Sequence, residues 1–211
     1  MKISDLRIEY SLKSLDKKEV TSSPLDQFKI WFDESLKAKV MEANAMNLST
    51  VRKDGMPNSR IVLLKGIDEG FVFFTNYNSS KGQELNEHPF AALTFFWPEL
   101  ERQVRIIGKV SKISAIESDE YFFSRPFSSQ IGAWASPQSK PIPDREFLEE
   151  NENKLRNELN QDSMKRPEHW GGYRLLANEI EFWQGRPSRL HDRIIYTLEE
   201  GGIWKIQRLA P

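Results

Sequence analysis

The sequence predicts an α+β fold, mainly β, in which an antiparallel barrel carries its helices on the outside. Three observations lead there. Runs rich in β-branched and aromatic residues recur through the middle and the end of the chain, set apart by turn residues and short capped helices. Consecutive runs mostly follow one another as hairpins do, which argues against a doubly wound parallel sheet. Six aromatic residues, Phe71, Phe73, Phe74, Phe95, Phe96 and Trp97, fall within 27 positions, a concentration that suits strands with a packed inner face.

Taken in order, residues 1–20 are polar and mixed in charge and read as an arm. Ser23 then serves as N-cap and Pro24 as first helical residue. Leu25, Phe28, Phe32 and Leu36 recur at spacings of three and four, giving one apolar helix face as far as about Met41. Strands at 45–52 and 59–65 flank the hairpin signal Asp54-Gly55. Further strands are expected at 70–76, 90–97 and 103–113. Ser80 with Gln83 makes a capping box for a short helix between the third and fourth strands. Ser114 with Glu117 opens another helix, which must end near Pro126. Residues 144–160 are charged with a thin apolar stripe (Phe147, Leu148, Leu155, Leu159), the pattern of a surface helix. Strands at 173–184, 190–198 and 202–209 complete a single domain over 21–211.

Composition narrows the function. With 30 Lys+Arg against 31 Asp+Glu, the formal charge of −1 lacks the basic excess of a general nucleic-acid binder. The absence of cysteine removes disulfides, thiolate catalysis and cysteine-bound metal, and fits a reducing, cytoplasmic setting. No apolar run approaches the roughly 18 residues of a membrane span, and the first 20 residues are too charged for a secretory signal. Dinucleotide, phosphate-loop and hydrolase-elbow motifs are missing, and His88, His169 and His191 lack metal-ligand spacing, so no metal site is expected.

What remains is a set of cations and hydroxyls within strands and turns. Arg60 and Lys65 bracket an apolar strand; being five apart, they reach one ligand only if the strand end curls, and solvated charges at strand ends would look the same. The stretch 76–82, between a strand and a capped helix, offers N–H groups, hydroxyls and Lys81 to a phosphate, although ordinary capping uses the same residue types. Tyr121 and Arg125, four apart on a predicted helix, and Ser129 just beyond Pro126 could satisfy a phosphate dianion; a surface arginine beside a half-buried tyrosine is the plainer alternative. Arg189, His191 and Arg193 alternate along a predicted strand near Trp183, a cluster that calls for an anion or an electron-rich ring unless it is simply a polar edge.

The motifs RIVLLK (60–65), LERQVRIIGK (100–109), YFFSRPFSSQIGAW (121–134), PQSK (137–140), WGGYR (170–174), IEFWQG (180–185), RLHDR (189–193) and WKIQRLAP (204–211) occur in this order. Together they resemble the pyridoxine/pyridoxamine 5′-phosphate oxidase family of FMN enzymes, from the arm LRIEY (6–10) to the last residue. The resemblance implies an FMN-binding split β-barrel and a homodimer with FMN at the interface. It also implies oxidation of pyridoxine or pyridoxamine 5′-phosphate to pyridoxal 5′-phosphate, with hydride passing from C4′ to flavin N5 and O2 reduced to hydrogen peroxide.

By matching motif, FMN contacts fall on Arg60, Ile61, Val62, Leu63, Leu64, Lys65, Phe74, Thr75, Ser80, Lys81, Gln103, Gln138, Ser139, Trp183 and Arg193. Substrate contacts fall on Lys65, Tyr121, Arg125, Ser129, Arg189, Leu190 and His191, with Arg7 and Tyr10 of the arm as a lid; Arg189 and His191 are the catalytic pair. Ser80 stands where the family usually has arginine, and Phe74 where tyrosine is common. Losing the arginine contact weakens FMN binding by ~1.5–3 kcal/mol if nothing compensates. Two alternatives accompany this reading: another FMN split-barrel protein, such as a flavin reductase or stress protein, and a non-catalytic pyridoxal phosphate carrier.

Overall fold

Among the residues that the computed structural model describes, 2–6 and 9–211, nine strands join in one antiparallel sheet. They are β1 (Ala45–Val51), β2 (Pro57–Leu63), β3 (Gly66–Ile67), β4 (Phe71–Asn76), β5 (Phe90–Trp97), β6 (Arg102–Lys112), β7 (Trp170–Gln184), β8 (Asp192–Leu198) and β9 (Trp204–Leu209). The sheet order is β2-β1-β5-β6-β7-β4-β3, with β8 added to β7 and β9 to β8. The two ends of this path are joined by the chain itself: β2 runs through Leu64 and Lys65 into β3, where the Lys65 N–H donates to the Val72 carbonyl at 2.8 Å. The sheet therefore curls into a barrel with a split between β2 and β4. Curvature is helped by a bulge in β7, where Asn178 is passed over as the register shifts opposite Ile107 and Gly108. Only glycine fits at 108, since a Cβ there would lie 2.0 Å from the Leu176 carbonyl oxygen.

Helix α1 (Pro24–Lys37) begins as the sequence predicts, with the Ser23 hydroxyl accepting from the Asp26 N–H. Its apolar face enters the barrel, where Phe28 is fully buried against Phe71, Phe95 and Trp97. The helix stops short of Met41 because Lys39 turns left-handed, with φ of 55°. The 52–56 turn closes the β1–β2 hairpin through Gly55 at φ 82°. Helix α2 (Ser80–Glu87) is capped one residue earlier than expected: the Ser79 hydroxyl accepts from the Gly82 N–H, while Gln83 donates to the Asn78 carbonyl instead of closing a capping box with Ser80.

Helix α3 (Ala115–Ser124) carries the expected Ser114–Glu117 capping box. Two further helices follow, α4 (Phe127–Ala135) and α5 (Glu146–Glu158). α5 lies within the expected 144–160 and buries no residue. α4 was not expected. Pro126 ends one helix and also leads into the next, which buries Gln130, Ile131 and Ala135. Beneath α3 and α4, a second apolar cluster of Phe122, Ile131, Met164 and Trp170 fills the outside of the barrel.

Two other expectations need correction. Strand β8 starts at Asp192 rather than at 190, and Pro187–Arg189 form a 3-10 turn, so Arg189 and His191 do not alternate with Arg193 on one strand face. The arm is also tied to the barrel: the Ser11 and Leu12 N–H groups donate to a Glu101 carboxylate oxygen at 2.9 and 3.0 Å, and Leu15 is buried in the main core.

Candidate active site

The split between β2 and β4 opens into a cavity of about 600 Å³. Strand β2 contributes Arg60, Ile61, Val62 and Leu63, the following bend Lys65, and β4 contributes Phe74, Thr75 and Asn76. Lys81 enters from α2, Tyr121 from α3, Arg125, Ser129, Gly132 and Ala133 from the α3–α4 corner, Ser136 and Gln138 from the loop after α4, and Trp170 from the start of β7. Because the chain bends at Leu64, Arg60 and Lys65 reach one space although they are five apart. Four cations line the cavity, and among the described residues no Asp or Glu does.

The cations are held differently. Arg60 is paired with Glu84 at 3.0 Å, and its guanidinium also donates to the Thr50 hydroxyl. Burial alone would raise the Glu84 pKa, but hydrogen bonds from Thr50, Asn58 and Arg60 outweigh it and leave the carboxyl below its ordinary value. Lys81 is 8% exposed and, among the described residues, its hydrogen bonds go to neutral acceptors, Thr75 Oγ1 at 3.2 Å, Ser79 Oγ at 3.1 Å and Gln138 Oε1 at 3.3 Å, while the Glu84 charge acts on it from further off. Burial, with a smaller contribution from Arg60, pushes its pKa down to about 8. Arg125 donates from Nη2 to the Ser129 carbonyl at 2.8 Å, while its Nη1 is buried with no acceptor. It stands at the end of α3 rather than within it: the residue before Pro126 is extended (φ −79°, ψ 151°), so helical spacing from Tyr121 is not what brings the two together.

A second group gathers at the other end of the sheet. Gln103 on β6 is opposite Trp183 on β7, and Trp183 is opposite Arg193 on β8. Arg193 is held by Glu181 at 2.7 Å, which raises its pKa. The Trp183 and His191 rings approach to 4.5 Å, and Tyr10 packs edge-on against both. His191 Nδ1 accepts the Arg186 backbone N–H at 3.1 Å, and burial together with Arg189 lowers its pKa. Ser188 and Arg189 are consecutive non-glycine residues in left-handed conformation, φ 57° and 61°. Each such residue costs of order 1 kcal/mol, strain that accumulates where a side chain must be aimed. Leu190 beside them is 69% exposed.

The two groups lie at opposite ends of the 15-residue strand β7, so about 43 Å of extended chain separates Trp170 from Trp183. One chain does not bring them together. Leu64, expected at the flavin, turns the other way into the core, bonded to Asn44. Ser80 and Ser139 are exposed and do not line the cavity; Ser139 holds φ at 69°. Arg7 lies outside the described residues. Asn76 belongs to the stretch 76–82 that the sequence singles out, whereas sequence reasoning missed Gly132, Ala133, Ser136 and Trp170. WGGYR carried the signal for the last, but neither charge nor hydroxyl marked it as part of a site. Among the described residues, no group of three or more His, Asp or Glu could hold a metal ion.

Residues 32–156 match the sequence profile described as pyridoxamine 5′-phosphate oxidase, and residues 170–211 that of the pyridoxine 5′-phosphate oxidase C-terminal dimerisation region. The chain belongs to the pyridoxine/pyridoxamine 5′-phosphate oxidase family. Family members from Polynucleobacter asymbioticus and Cupriavidus necator, both called pyridoxine/pyridoxamine 5′-phosphate oxidase, are 59% and 55% identical to it over 210 residues, covering 99% of every chain. The crystal structure of PhzG from Burkholderia lata, in complex with tetrahydrophenazine-1-carboxylic acid, superposes with a TM-score of 0.88 at 32% identity, covering 95% of this chain and 100% of that one. A pyridoxamine 5′-phosphate oxidase-related, FMN-binding protein from Nostoc punctiforme shares the split-barrel fold, with a TM-score of 0.73 at 16% identity over 91% of this chain and all of its own.

Proposed function

We propose that this chain is an FMN-dependent oxidase that converts pyridoxine and pyridoxamine 5′-phosphate to pyridoxal 5′-phosphate, acting as a cytoplasmic homodimer. Family membership supports the reaction. The observation that carries the substrate class is a cavity lined, among the described residues, by four cations and no Asp or Glu, with Arg125 Nη1 buried without an acceptor at its wall. A buried donor left unmatched is costly, and a phosphate oxygen would satisfy it. Lys65, Tyr121 and Ser129 line the same space and complete the cradle.

FMN fits the remaining donors. Lys81, buried with neutral hydrogen-bond partners and only partly compensated by the more distant Glu84, suits the flavin phosphate, with Thr75 and Gln138 beside it. Arg60, Ile61, Val62 and Leu63 would hold the ring system. When bound, FMN supplies the two-electron acceptor for oxidation at C4′ and hands the electrons on to O2.

The protein's own part is binding and orientation. The phosphate cradle fixes the remote end of the substrate, so its binding energy positions C4′. Arg189 and His191 would act on the pyridine ring, the arginine by favouring developing negative charge and the histidine by donating from Nε2. Because they lie at the far end of β7, a second copy must supply them, together with Gln103, Trp183 and Arg193. The matched dimerisation region, which contains Trp183, Arg189, His191 and Arg193, agrees with that arrangement. The deciding experiment mixes FMN-loaded protein with either phosphorylated vitamer in air and follows aldehyde formation with oxygen uptake. Oxygen-dependent aldehyde is expected; its absence would leave a carrier or a reductase of the same fold.

A further inference from the structure

Trp170 carries no charge and was assigned no role by motif, yet it shapes the phosphate cradle. It is 7% exposed, and the Arg125 guanidinium carbon lies 4.6 Å from the centroid of its ring. We propose that Trp170 is a positioning residue for the phosphorylated substrate: its indole face holds Arg125 at the cavity wall as a cation that no carboxylate compensates. The proposal rests on the substrate reading given above.

The argument begins with what usually holds a buried arginine. Arg60 and Arg193 each close on a buried carboxylate, Glu84 and Glu181. A carboxylate accepts the guanidinium fork and cancels its charge, so an incoming phosphate would have to compete with it. An aromatic face attracts the cation through its quadrupole while accepting none of its five N–H groups. Arg125 among the described residues forms no ion pair; besides its bond to the Ser129 carbonyl it meets the Trp170 face, Phe122 at 5.8 Å and the neighbouring Tyr121 phenol. Nη1, buried beside the cavity, is left with no acceptor among the described residues.

The indole is itself fixed. Its ring stacks on Phe74 with centroids 5.5 Å apart and planes 16° apart, and meets Phe122 edge-on at 5.3 Å. Tyr121 stacks on Phe74 as well, with centroids 3.9 Å apart, and its ring lies 6.2 Å from the Trp170 ring with planes 10° apart. The Trp170 carbonyl accepts from Arg166 at 2.6 Å, and Arg166 is paired at 2.6 Å with Asp119 of α3, the helix that bears Tyr121. Phenol and guanidinium are thus set by one aromatic stack.

The test compares pyridoxamine 5′-phosphate with unphosphorylated pyridoxamine on FMN-loaded Trp170→Leu. The expected result is a loss of about tenfold in kcat/KM for the phosphorylated substrate, through KM, equivalent to about 1.4 kcal/mol. The loss on pyridoxamine should be clearly smaller than on the phosphorylated substrate, and Trp170→Phe should recover most of the difference. Calorimetric titration of FMN-loaded Trp170→Leu with inorganic phosphate should show a matching weakening without turnover. Equal losses on both substrates, or none, would overturn the proposal. Should Trp170→Leu fail to fold, fluorinated tryptophan placed at 170 alone keeps the shape while draining the π face; KM for the phosphorylated substrate should then climb with fluorine number, and a constant KM overturns the idea. If the native protein itself shows no preference for the phosphorylated vitamer, the substrate reading fails instead, whatever Trp170 does.

Discussion

The backbone N–H of Arg186 donates to Nδ1 of His191, so the neutral ring carries its proton on Nε2. Protonating His191 would break this bond and place a second cation beside Arg189, and burial opposes it further; the pKa is accordingly lowered. On the proposed function, His191 would act as a neutral donor and not as a base. The kcat/KM profile should be flat from neutral pH upward in the histidine range and should fall only below the ordinary value of about 6.5. Stability follows the same sign. The unfolded chain takes up this proton first, so the contribution is complete above about 6.5 and declines as pH falls below it. His191→Asn, which keeps a donor, should retain most activity, while His191→Phe should lose roughly tenfold, the scale of one hydrogen bond to a developing charge. A rate that rises through the histidine range as a base is uncovered would contradict this assignment.

Lys81 gives a second pH signature, this time in cofactor binding. In the free protein its pKa is near 8, so the ammonium that a phosphate requires is lost as pH rises through that value. A bound dianion stabilises the charged form, so binding takes up a proton. FMN affinity should be steady below about pH 8 and then weaken by as much as tenfold per pH unit until the pKa of the bound form is reached. Flavin fluorescence quenching measures this directly. Lys81→Arg, always charged, should remove the pH dependence even if its absolute affinity is lower.

Two half-sites at opposite ends of β7 predict complementation between inactive variants. Arg125→Ala removes a cradle residue and Arg189→Ala a residue of the distal group; each homodimer should lose turnover by tenfold or more, at least 1.4 kcal/mol of transition-state stabilisation. If the groups meet across a two-fold interface, a mixed dimer contains one intact site and one doubly damaged site. Half of randomly re-formed dimers are mixed, so unfolding and refolding the variants together should return about a quarter of native activity. Mixtures that stay as inactive as their components would show that each chain builds its own site.

Much of this was legible in the sequence because it rests on local chemistry. The Ser23-Pro24 helix start, the Ser114–Glu117 capping box, the Asp54-Gly55 turn and strand 90–97 depend on a few adjacent residues, and all four stand in the structure. The failures are equally physical. Pro126 reads as a stop, yet proline favours helix starts as much as it ends helices, and α4 follows it at once. The alternation of Arg189, His191 and Arg193 looked like a strand face, but consecutive left-handed residues at 188 and 189 take the chain out of the sheet there. Ser79 and Ser80 offer two caps one residue apart, and sequence does not rank them. The role of Trp170 depends on a guanidinium 45 positions away in the chain, a relation that no periodicity reports.

Gly185 links the arm to the distal group and yields a prediction about closure. A Cβ at this position would fall 2.7 Å from Tyr10 Cγ and 2.8 Å from its Cβ, atoms at the root of the side chain that cannot swing clear without moving the arm. Gly185→Ala should therefore lift Tyr10 off Trp183 and His191, which it now meets edge-on at 5.8 and 6.0 Å. The rest of the arm stays anchored, because Ser11 and Leu12 remain bonded to Glu101, and Leu15 to Asp192 at 3.1 Å. Folding and melting temperature should thus change little. Aromatic contacts of this kind contribute about 0.5–1.5 kcal/mol, so substrate KM should rise roughly threefold to tenfold if Tyr10 covers the site. Tyr10→Ala should reproduce the rise, and combining the two substitutions should add nothing further, since both remove the same contact. A Gly185→Ala enzyme with native KM, or a double variant whose losses simply add, would separate Tyr10 from substrate closure.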